Sequence, residues 1–271
     1  PTYGRHRTLD EVRAMLDAVV ASEGEPDIVQ ISGGEPTIHP QFFDILDYAK
    51  TLPIRHIMIN TNGIRIADDK GFTERLNDYM PGIEIYLQFD SFKPHVLTKL
   101  RGKDLSAKRQ KALEKLEKFN IHSTLVVTLE RGQNDDEIGK IIDFALEYRC
   151  LRGVTFQPTQ VAGRTDNFDP LKNKFTLTET RQGILDQTDI FKENDIVPVP
   201  CNPDALAMAY ALKLDGKVVP LTSMIDPDIF LNGTRNTILL EQEENLQKEL
   251  IKVFSTSQTG GTLAKNLQTL L

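Results

Sequence analysis

Apolar runs with strand character alternate with amphipathic helical segments along the first 160 residues of the chain. Thr8-Leu9-Asp10-Glu11 has the form of a capping box and predicts a helix that extends to about Ser22. Five apolar runs, one in roughly every 31 residues, are predicted strands: Asp27–Ser32, Arg55–Asn60, Ile83–Gln88, Ile121–Thr128 and Gly153–Gln157. Four further helices are predicted between them, at residues 41–50 with Pro40 at the first position, 69–79, 104–119 and 135–148.

This order of elements predicts a parallel sheet covered by helices, because parallel neighbours need a crossover of a dozen or more residues. A closed barrel of eight such units takes about 250 residues, and the pattern stops after Gln157. We therefore predict an α/β fold with an open or partial barrel over residues 1–165 and a C-terminal extension over residues 166–271 that covers the barrel mouth. The extension is predicted to contain a helix over residues 176–190, a hairpin over 208–221 that turns at Asp215-Gly216, and a charged helix over 240–254.

Composition narrows the class of protein and its partners. Hydrophobic residues make up 39% of the chain and charged residues 26%, which excludes disordered and fibrous classes. The net charge of −7 argues against a general nucleic-acid binder, because that role needs a basic surface. No run of eighteen apolar residues occurs, so no membrane-spanning helix is predicted. The chain opens at Pro1 without an initiator methionine, which indicates a piece of a longer protein.

The chain has two cysteines, which exclude a disulfide-rich scaffold and a closed four-cysteine site made by this chain alone. Cys150 ends a predicted helix, a position typical of a small buried residue. Cys201 lies in the constrained loop Pro200-Cys201-Asn202-Pro203, where a ligand, a reactive thiol and a structural role all stay open. The histidines show no metal-binding spacing. So few thiols suit a reducing cytoplasm.

The loop after the first strand combines two adjacent glycines with an acid. In parallel α/β proteins function gathers at the carboxyl ends of the strands. Gly33 and Gly34 allow a ligand to approach the backbone closely, and Glu35 accepts hydrogen bonds from a cationic group such as an ammonium. A tight turn before a helix, with Glu35 favouring the helix N-terminus, explains the same residues, and both interpretations stay open.

Polar groups also follow the other four predicted strands. These strand ends are Asn60-Thr61-Asn62-Gly63, Gln88-Phe89-Asp90-Ser91, Glu130-Arg131-Gly132-Gln133-Asn134 and Gln157-Pro158-Thr159-Gln160. Each one alone is explained as a turn, but together they predict a ring of donors and acceptors around one mouth, and hence a small-molecule site. Neither G-x-G-x-x-G nor G-x-x-x-x-G-K occurs, so nucleotide phosphate loops of those kinds are not predicted.

The segment Ile31-Ser32-Gly33-Gly34-Glu35-Pro36-Thr37 resembles the Gly-Gly-Glu motif of radical S-adenosylmethionine enzymes, and it stands at a strand end as that motif does. Two further segments are similar to the group that contains pterin-methylating and tetraether-lipid-forming enzymes. They are Phe156-Gln157-Pro158-Thr159 with Gly163-Arg164, and Pro198-Val199-Pro200-Cys201. The resemblance implies a partial (β/α)6 barrel, with one strand before Pro1.

The resemblance also implies a binding site for S-adenosylmethionine at the strand ends. Its residues would be Gly33, Gly34, Glu35, Asn60, Asn62, Gln88, Asp90, Arg131 and Gln157. The methionyl ammonium would meet the segment 33–35, and the residues after the second and third strands would line the ribose or the carboxylate. Arg131 would pair with the carboxylate through charge-assisted hydrogen bonds, and the adenine would lie near Gln157.

Members of this family carry a C-x-x-x-C-x-x-C loop whose three thiolates hold a [4Fe-4S] cluster. The chain has no such motif, and we expect the loop to precede Pro1 in the intact protein. Cys201 is a candidate ligand of an auxiliary cluster, but the second cysteine that the subgroup has shortly after it is missing here, near Ala205.

For the intact protein the resemblance implies an enzyme that reductively cleaves S-adenosylmethionine. The resulting 5′-deoxyadenosyl radical would abstract hydrogen from an unactivated carbon, in methylation or carbon–carbon coupling. Ferredoxin or flavodoxin would supply the electron, and the substrate would be a small molecule or a lipid. Without the cysteine loop the chain alone is expected to bind weakly and not to turn over. The alternative is a cluster-free binding module on the same barrel, and the residues upstream of Pro1 distinguish the two.

Overall fold

The computed structural model describes residues 4–160, 169–199, 202–214, 217–225 and Lys248. The chain divides into two compact units, unit 1 over residues 1–175 and unit 2 over residues 176–271. Several predicted features lie outside the described residues: the boundary after residue 165, Gly163-Arg164, Cys201, the turn at Asp215-Gly216, and the helix over 240–254 apart from Lys248.

Unit 1 is built on one parallel sheet of five strands in the order β1-β2-β3-β4-β5. The strands are β1 (Ile28–Ile31), β2 (His56–Thr61), β3 (Ile83–Gln88), β4 (Ser123–Leu129) and β5 (Leu151–Pro158). Each strand pairs with its neighbour along the chain, so every crossover advances the sheet by one strand. The predicted α/β class and the open parallel sheet are confirmed, with five of the six strands of the implied barrel described.

Unit 1 has eight α-helices in the described part of the chain. They are α1 (Leu9–Glu23), α2 (Phe42–Thr51), α3 (Ile64–Asp68), α4 (Phe72–Asn77), α5 (Pro94–Arg101), α6 (Ser106–Phe119), α7 (Ile138–Glu147) and α8 (Pro170–Asn173). The predicted capping box begins α1, since the Thr8 hydroxyl accepts from the Glu11 amide at 3.2 Å and the Glu11 carboxylate accepts from the Thr8 amide at 2.8 Å. Gln41 is the N-cap of α2, so Pro40 precedes this helix and does not take its first position as predicted.

Two predictions about the helices fail for local reasons. The helix predicted over residues 69–79 is shorter in the structure, where α4 begins at Phe72, because the Asp69 carboxylate accepts hydrogen bonds from the amides of Gly71 and Phe72 and forms a turn before the helix. Helix α5 is missing from the sequence-based assignment. Its signals are present in Pro94 at the first helical position and in Gly102, which ends the helix at φ +78°.

The two faces of the sheet differ in polarity. One face is apolar and packs under the helices, and its side chains from β2, β3 and β4 are almost fully buried: Ile57, Ile59, Ile83, Ile85, Leu87, Leu125 and Val127. The alternate residues of the same strands are mostly polar and include His56, Asn60, Glu84, Tyr86, Gln88, Thr124 and Thr128. A parallel sheet usually buries apolar residues on both faces, so a polar second face is suited to bind polar ligands.

Unit 2 is described over part of its length. Helix α9 (Leu177–Gln187) begins at a capping box made by Thr176 and Glu179, close to the predicted position. Strands β6 (Val197–Pro198) and β7 (Ala207–Met208) form one antiparallel pair. Strands β8 (Ala211–Leu214) and β9 (Lys217–Pro220) form the other, as the predicted hairpin requires. None of the described helices has the length and apolar character that a membrane crossing demands.

Replacement of Gly63 by Ala should destabilise unit 1 far more than the same change at Gly132. Both glycines have a left-handed φ, +75° and +69°, but an added Cβ at Gly63 would lie 2.6 Å from Leu87 Cδ1, whereas at Gly132 it would meet nothing within 4 Å. We expect a loss of about 1 kcal/mol for Gly132→Ala from backbone strain. Overpacking at Gly63 should add about 1–3 kcal/mol. Urea unfolding of the 271-residue chain measures both, and equal losses would contradict the crowding at Gly63.

Candidate functional site

The Glu35 carboxylate connects the loops that follow β1 and β2. Its Oε1 atom accepts hydrogen bonds from the Thr37 amide at 3.2 Å, the Thr37 hydroxyl at 2.6 Å and the Thr61 hydroxyl at 2.7 Å. Its Oε2 atom accepts from the Asn62 amide at 2.8 Å. Glu35 is also the N-cap of a short 3-10 helix over Pro36–Ile38. Glu35 therefore stabilises the turn and the start of the short helix after it, as the turn interpretation of the sequence predicts.

The two glycines before Glu35 leave open space on the ligand-accessible side of the loop. Gly33 and Gly34 have φ values of +101° and +56°, which side chains rarely tolerate. A Cβ built at either position would meet no heavy atom within 4 Å, and both residues are exposed. None of the described residues donates a hydrogen bond to either carbonyl oxygen. The turn thus presents two acceptors to a donor from outside the described structure.

Asn60, near the end of β2, and Asn62, just after it, have different environments. The Asn62 side chain accepts from the Ile64 amide at 2.9 Å and so caps α3. The Asn60 side-chain oxygen is buried and has no hydrogen-bond partner in the described part of the chain. A buried acceptor without a partner is destabilising by about 1–3 kcal/mol. Asn60 is therefore the predicted site residue that most directly indicates a missing donor.

Asp90 lies at the end of β3 and is completely buried, with a left-handed φ of +63°. Its carboxylate accepts from Arg101 at 2.7 and 2.8 Å, from Arg109 at 3.1 Å and from the Thr128 amide at 3.1 Å. Its backbone carbonyl accepts from the Asn134 side chain at 2.8 Å. Asp90 is therefore engaged on both oxygens by the protein itself, where the resemblance implied a cofactor contact.

The two arginines at Asp90 carry more positive charge than the one carboxylate neutralises. Burial lowers the pKa of Arg109 to about 10, against the opposing attraction of Asp90. Its Nε and one terminal nitrogen have no partner among the described residues. Hydrogen bonding to Asp90 raises the pKa of Arg101, whose guanidinium also reaches the Thr128 hydroxyl at 3.2 Å. The buried charge of Arg109 is therefore only partly compensated by Asp90.

The remaining predicted residues lie at the same edge. Gln88 ends β3 and is half-buried, whereas Gln157 is exposed near the end of β5. Burial raises the pKa of Tyr86, whose hydroxyl bonds with Thr155 and Gln157 partly offset this effect. Arg131 is exposed after β4, and its guanidinium donates to the Lys174 carbonyl at 3.2 and 2.9 Å.

The described residues do not fit an iron–sulfur cluster. Cys150 is buried, and burial with the neighbouring Glu117 raises the pKa of its thiol to about 12, so it stays protonated. No group of three His, Cys, Asp or Glu side chains in the described ranges is placed to hold a metal ion. Cys201 lies outside the described residues. Because the whole sequence has two cysteines, it cannot provide the three thiolates of such a cluster.

Sequence reasoning missed the residues that hold the site together. Thr37 and Thr61 bind Glu35, and Arg101 and Arg109 bind Asp90, at separations of 2, 26, 11 and 19 residues along the chain. Arg101 lies in α5, which the sequence-based assignment lacks, and Arg109 lies in the helix predicted over residues 104–119 with no role assigned to it. A partly apolar environment for Arg109, between Leu105 and Leu113 at helical spacing, was the one available signal.

The fold and this edge define a parallel α/β protein with polar groups gathered at the carboxyl ends of its strands. Residues 1–145, more than half of the chain, match the Radical SAM superfamily. The chain belongs to the radical SAM superfamily, whose cofactors are S-adenosylmethionine and a [4Fe-4S] cluster.

Curated relatives include two enzymes of this class. The chain is 29% identical to the 7,8-dihydro-6-hydroxymethylpterin dimethyltransferase of Methanocaldococcus jannaschii, over 85% of this chain and 50% of the relative. It is 27% identical to the GTP 3′,8-cyclase of Actinobacillus succinogenes, over 56% of this chain and 46% of the relative. The chain thus spans about half the length of the curated relatives it matches.

Solved structures that resemble the chain include Streptococcus suis SuiB bound to S-adenosylmethionine, with a TM-score of 0.48 and 19% identity over 60% of this chain and 36% of SuiB. Native anSMEcpe with bound AdoMet gives a TM-score of 0.49 and 16% identity, over 68% of this chain and 51% of that protein.

Substitution of Asp90 by Asn should be strongly destabilising, because it leaves the buried Arg109 guanidinium and the half-buried Arg101 guanidinium without the carboxylate that pairs with them. We expect a loss of about 3–5 kcal/mol in unfolding free energy. The matched control is Asp136→Asn, whose exposed carboxylate pairs with Lys93 at 2.5 Å and should contribute less than about 1 kcal/mol. Urea unfolding of both variants tests this, and similar small losses would show that Asp90 does not hold the strand ends.

Proposed function

We propose that unit 1 is the S-adenosylmethionine-binding part of a radical SAM enzyme. The observation that carries this proposal is the buried, unpartnered Asn60 oxygen at the same sheet edge as the open carbonyls of Gly33 and Gly34. A ligand that brings hydrogen-bond donors to this edge would satisfy these acceptors. The membership of residues 1–145 in the family supports S-adenosylmethionine as that ligand.

The polar groups of this edge fit the chemical groups of the cofactor. Its ammonium donates to the carbonyls of Gly33 and Gly34, and a ribose hydroxyl donates to Asn60 beside Gln88. We propose Arg131 as the partner of its carboxylate, because this guanidinium is exposed whereas Arg101 and Arg109 are committed to Asp90. The adenine lies near Gln157 in this assignment. Glu35, Asn62 and Asp90 then act by holding the loops that bear these contacts.

When bound and reduced by one electron, S-adenosylmethionine would supply hydrogen-abstraction chemistry, because cleavage of its carbon–sulfur bond gives methionine and a 5′-deoxyadenosyl radical in this family. The contribution of the chain is to bind the cofactor, to orient it and to exclude water from the strand-end edge. Three cysteines upstream of Pro1 stay a prediction, as do a ferredoxin or flavodoxin donor and a cytoplasmic location.

We propose that the substrate is a small heterocycle of the pterin type and that the outcome is methylation or a related carbon–carbon coupling. Unit 1 accounts for residues 1–175, so a match over 85% of the chain with the pterin dimethyltransferase must extend into unit 2. The match with the GTP cyclase covers 56% of the chain, which unit 1 alone could account for. This difference favours a pterin over the alternative of a lipid, and substrate selection by the extension stays a prediction.

The second candidate is a cluster-free binding module. It is favoured by the cysteine count, because the sequence has two cysteines and the cluster of this family needs three. Anaerobic incubation of the full-length protein with S-adenosylmethionine and dithionite separates the two candidates. Formation of 5′-deoxyadenosine supports the enzyme. Cofactor binding without 5′-deoxyadenosine, in a protein whose full gene lacks the three-cysteine loop, supports the module.

Asn60→Ala should weaken binding of S-adenosylhomocysteine, a stable analogue of the cofactor, by about five- to thirtyfold, the equivalent of one hydrogen bond of about 1–2 kcal/mol. Asn77→Ala makes the same chemical change on the exposed surface of α4 and should leave affinity unchanged. Isothermal titration with the full-length protein measures both. A twofold or smaller effect at Asn60 would remove this residue from the site, and no binding by the wild type would overturn the proposal.

A further inference from the structure

We infer that His122 is an acid-sensitive clamp at the amino end of the sheet. As a neutral imidazole it accepts a hydrogen bond from Arg152 and so joins the starts of β4 and β5, and its protonation opens this joint. The clamp lies at the opposite end of the strands from the proposed cofactor site, so the inference does not depend on the proposed function.

A β-bulge directs the Arg152 side chain to His122. The register of β4 and β5 shifts after Ser123, which pairs with Leu151, and the next residue of β5, Arg152, has no partner in β4. An extra residue of this kind re-aims its side chain. The Arg152 Nη2 atom lies 2.9 Å from His122 Nε2. Because a guanidinium has donors only, Nε2 is the acceptor, and the imidazole is neutral with its proton on Nδ1.

The groups that face His122 from three strands disfavour a charged imidazole. Burial lowers the pKa of His122 below its ordinary value of 6.5, and the positive charge of Arg152 on β5 lowers it further. Glu84 on β3 opposes this effect, whereas His56 on β2 acts in the same direction as Arg152. His122 is therefore held neutral by its surroundings as well as by its hydrogen bond.

Glu84 does not pair with His122, because both of its oxygens bind other groups. Oε2 lies 3.0 Å from His56 Nε2, and Oε1 accepts from the Thr124 hydroxyl. Burial raises the pKa of Glu84, but these two hydrogen bonds outweigh that effect and hold the pKa below its ordinary value. A proton added to His122 therefore meets the Arg152 charge, with no carboxylate left to pair with it among the described residues.

The direction of the pH effect follows from the lowered pKa. In the unfolded chain His122 takes up a proton near pH 6.5, whereas in the folded protein it resists the proton to a lower pH. The stabilisation is therefore complete above pH 6.5 and is lost as the pH falls from there to the folded pKa. Below that pKa the imidazolium and Arg152 repel each other, and the starts of β4 and β5 separate.

Proton NMR of the 271-residue chain measures the titration, since the sequence has five histidines and His122→Gln identifies the His122 signal by its loss. We expect a midpoint below 6.5. Arg152→Gln removes the positive charge and should raise this midpoint, whereas Glu84→Gln removes the negative charge and should lower it. A wild-type midpoint at or above 6.5, or one that Arg152→Gln leaves unchanged, would overturn the inference.

Urea unfolding measures how the titration is coupled to folding. Between about pH 7.5 and about pH 5.5 the unfolding constant of the wild type should rise up to about tenfold more than that of His122→Gln. This variant keeps an acceptor for Arg152 but cannot be protonated. His95→Gln makes the same change at an exposed histidine of α5 and should behave as the wild type does. Equal pH dependence in the wild type and His122→Gln would contradict the clamp.

Hydrogen exchange locates the opening. The Ser123 amide donates to the Cys150 carbonyl at 2.9 Å at the start of the strand pair, and the Thr159 amide donates to the Leu129 carbonyl at 2.8 Å at its other end. Below the NMR midpoint, exchange at Ser123, corrected for the intrinsic effect of pH, should accelerate about tenfold in the wild type, with no change at Thr159. The same acceleration at both ends, or an equal one in His122→Gln, would show that the opening is not made by His122.

Arg152→Gln carries the same test if His122→Gln does not fold. Arg152 is exposed, and a glutamine amide in its place can accept a hydrogen bond from the protonated imidazole. Acid should then no longer accelerate exchange at Ser123. Acceleration as large as in the wild type would show that repulsion between His122 and Arg152 does not open the strands.

Discussion

The buried carboxylate of Asp90 is the constraint on which the strand-end edge depends. A charge in the protein interior is tolerated only when opposite charges and hydrogen bonds compensate for its lost hydration. Asp90 meets this requirement with Arg101 from α5, Arg109 from α6 and the Thr128 amide of β4. Two helices and two strands are thus held to one point at the carboxyl edge of the sheet. The positions of the groups beyond it, including Gln88 and the loop after β4, follow from this arrangement.

Glu35 and Asp90 stabilise the strand-end loops through hydrogen bonds within the protein. The acceptor groups that stay available to a ligand are neutral. Both carboxylates follow strands, and both are saturated by donors from the protein. At this edge of the sheet, the Asn60 side-chain oxygen and the carbonyls of the glycine turn are acceptors without partners among the described residues. A rigid charged frame with unsatisfied neutral acceptors is preorganised for a ligand, because the binding groups need no further ordering when it arrives.

The family to which the chain belongs uses an iron–sulfur cluster, but the cysteines of this sequence are too few to hold one. The match over residues 1–145 assigns the cofactors of the radical SAM superfamily. The two cysteines of the sequence cannot hold a [4Fe-4S] cluster, and Cys150 is a buried, protonated thiol. In the function we propose, unit 1 provides the frame for S-adenosylmethionine, in a chain that spans half of the pterin dimethyltransferase it matches.

The sequence by itself determined the five strands, the capping box at Thr8 and the glycine turn, because these features depend on neighbouring residues and on side-chain periodicity. It identified Asn60 and Asp90 as strand-end residues but could not separate their roles. Only the tertiary structure decided that Asp90 is engaged within the protein and that Asn60 is not. The partners of Asp90 lie 11, 19 and 38 residues away in the chain, and they come together only when helices α5 and α6 pack on the sheet. Hydrogen bonds over such separations are products of that packing, so no local pattern encodes them.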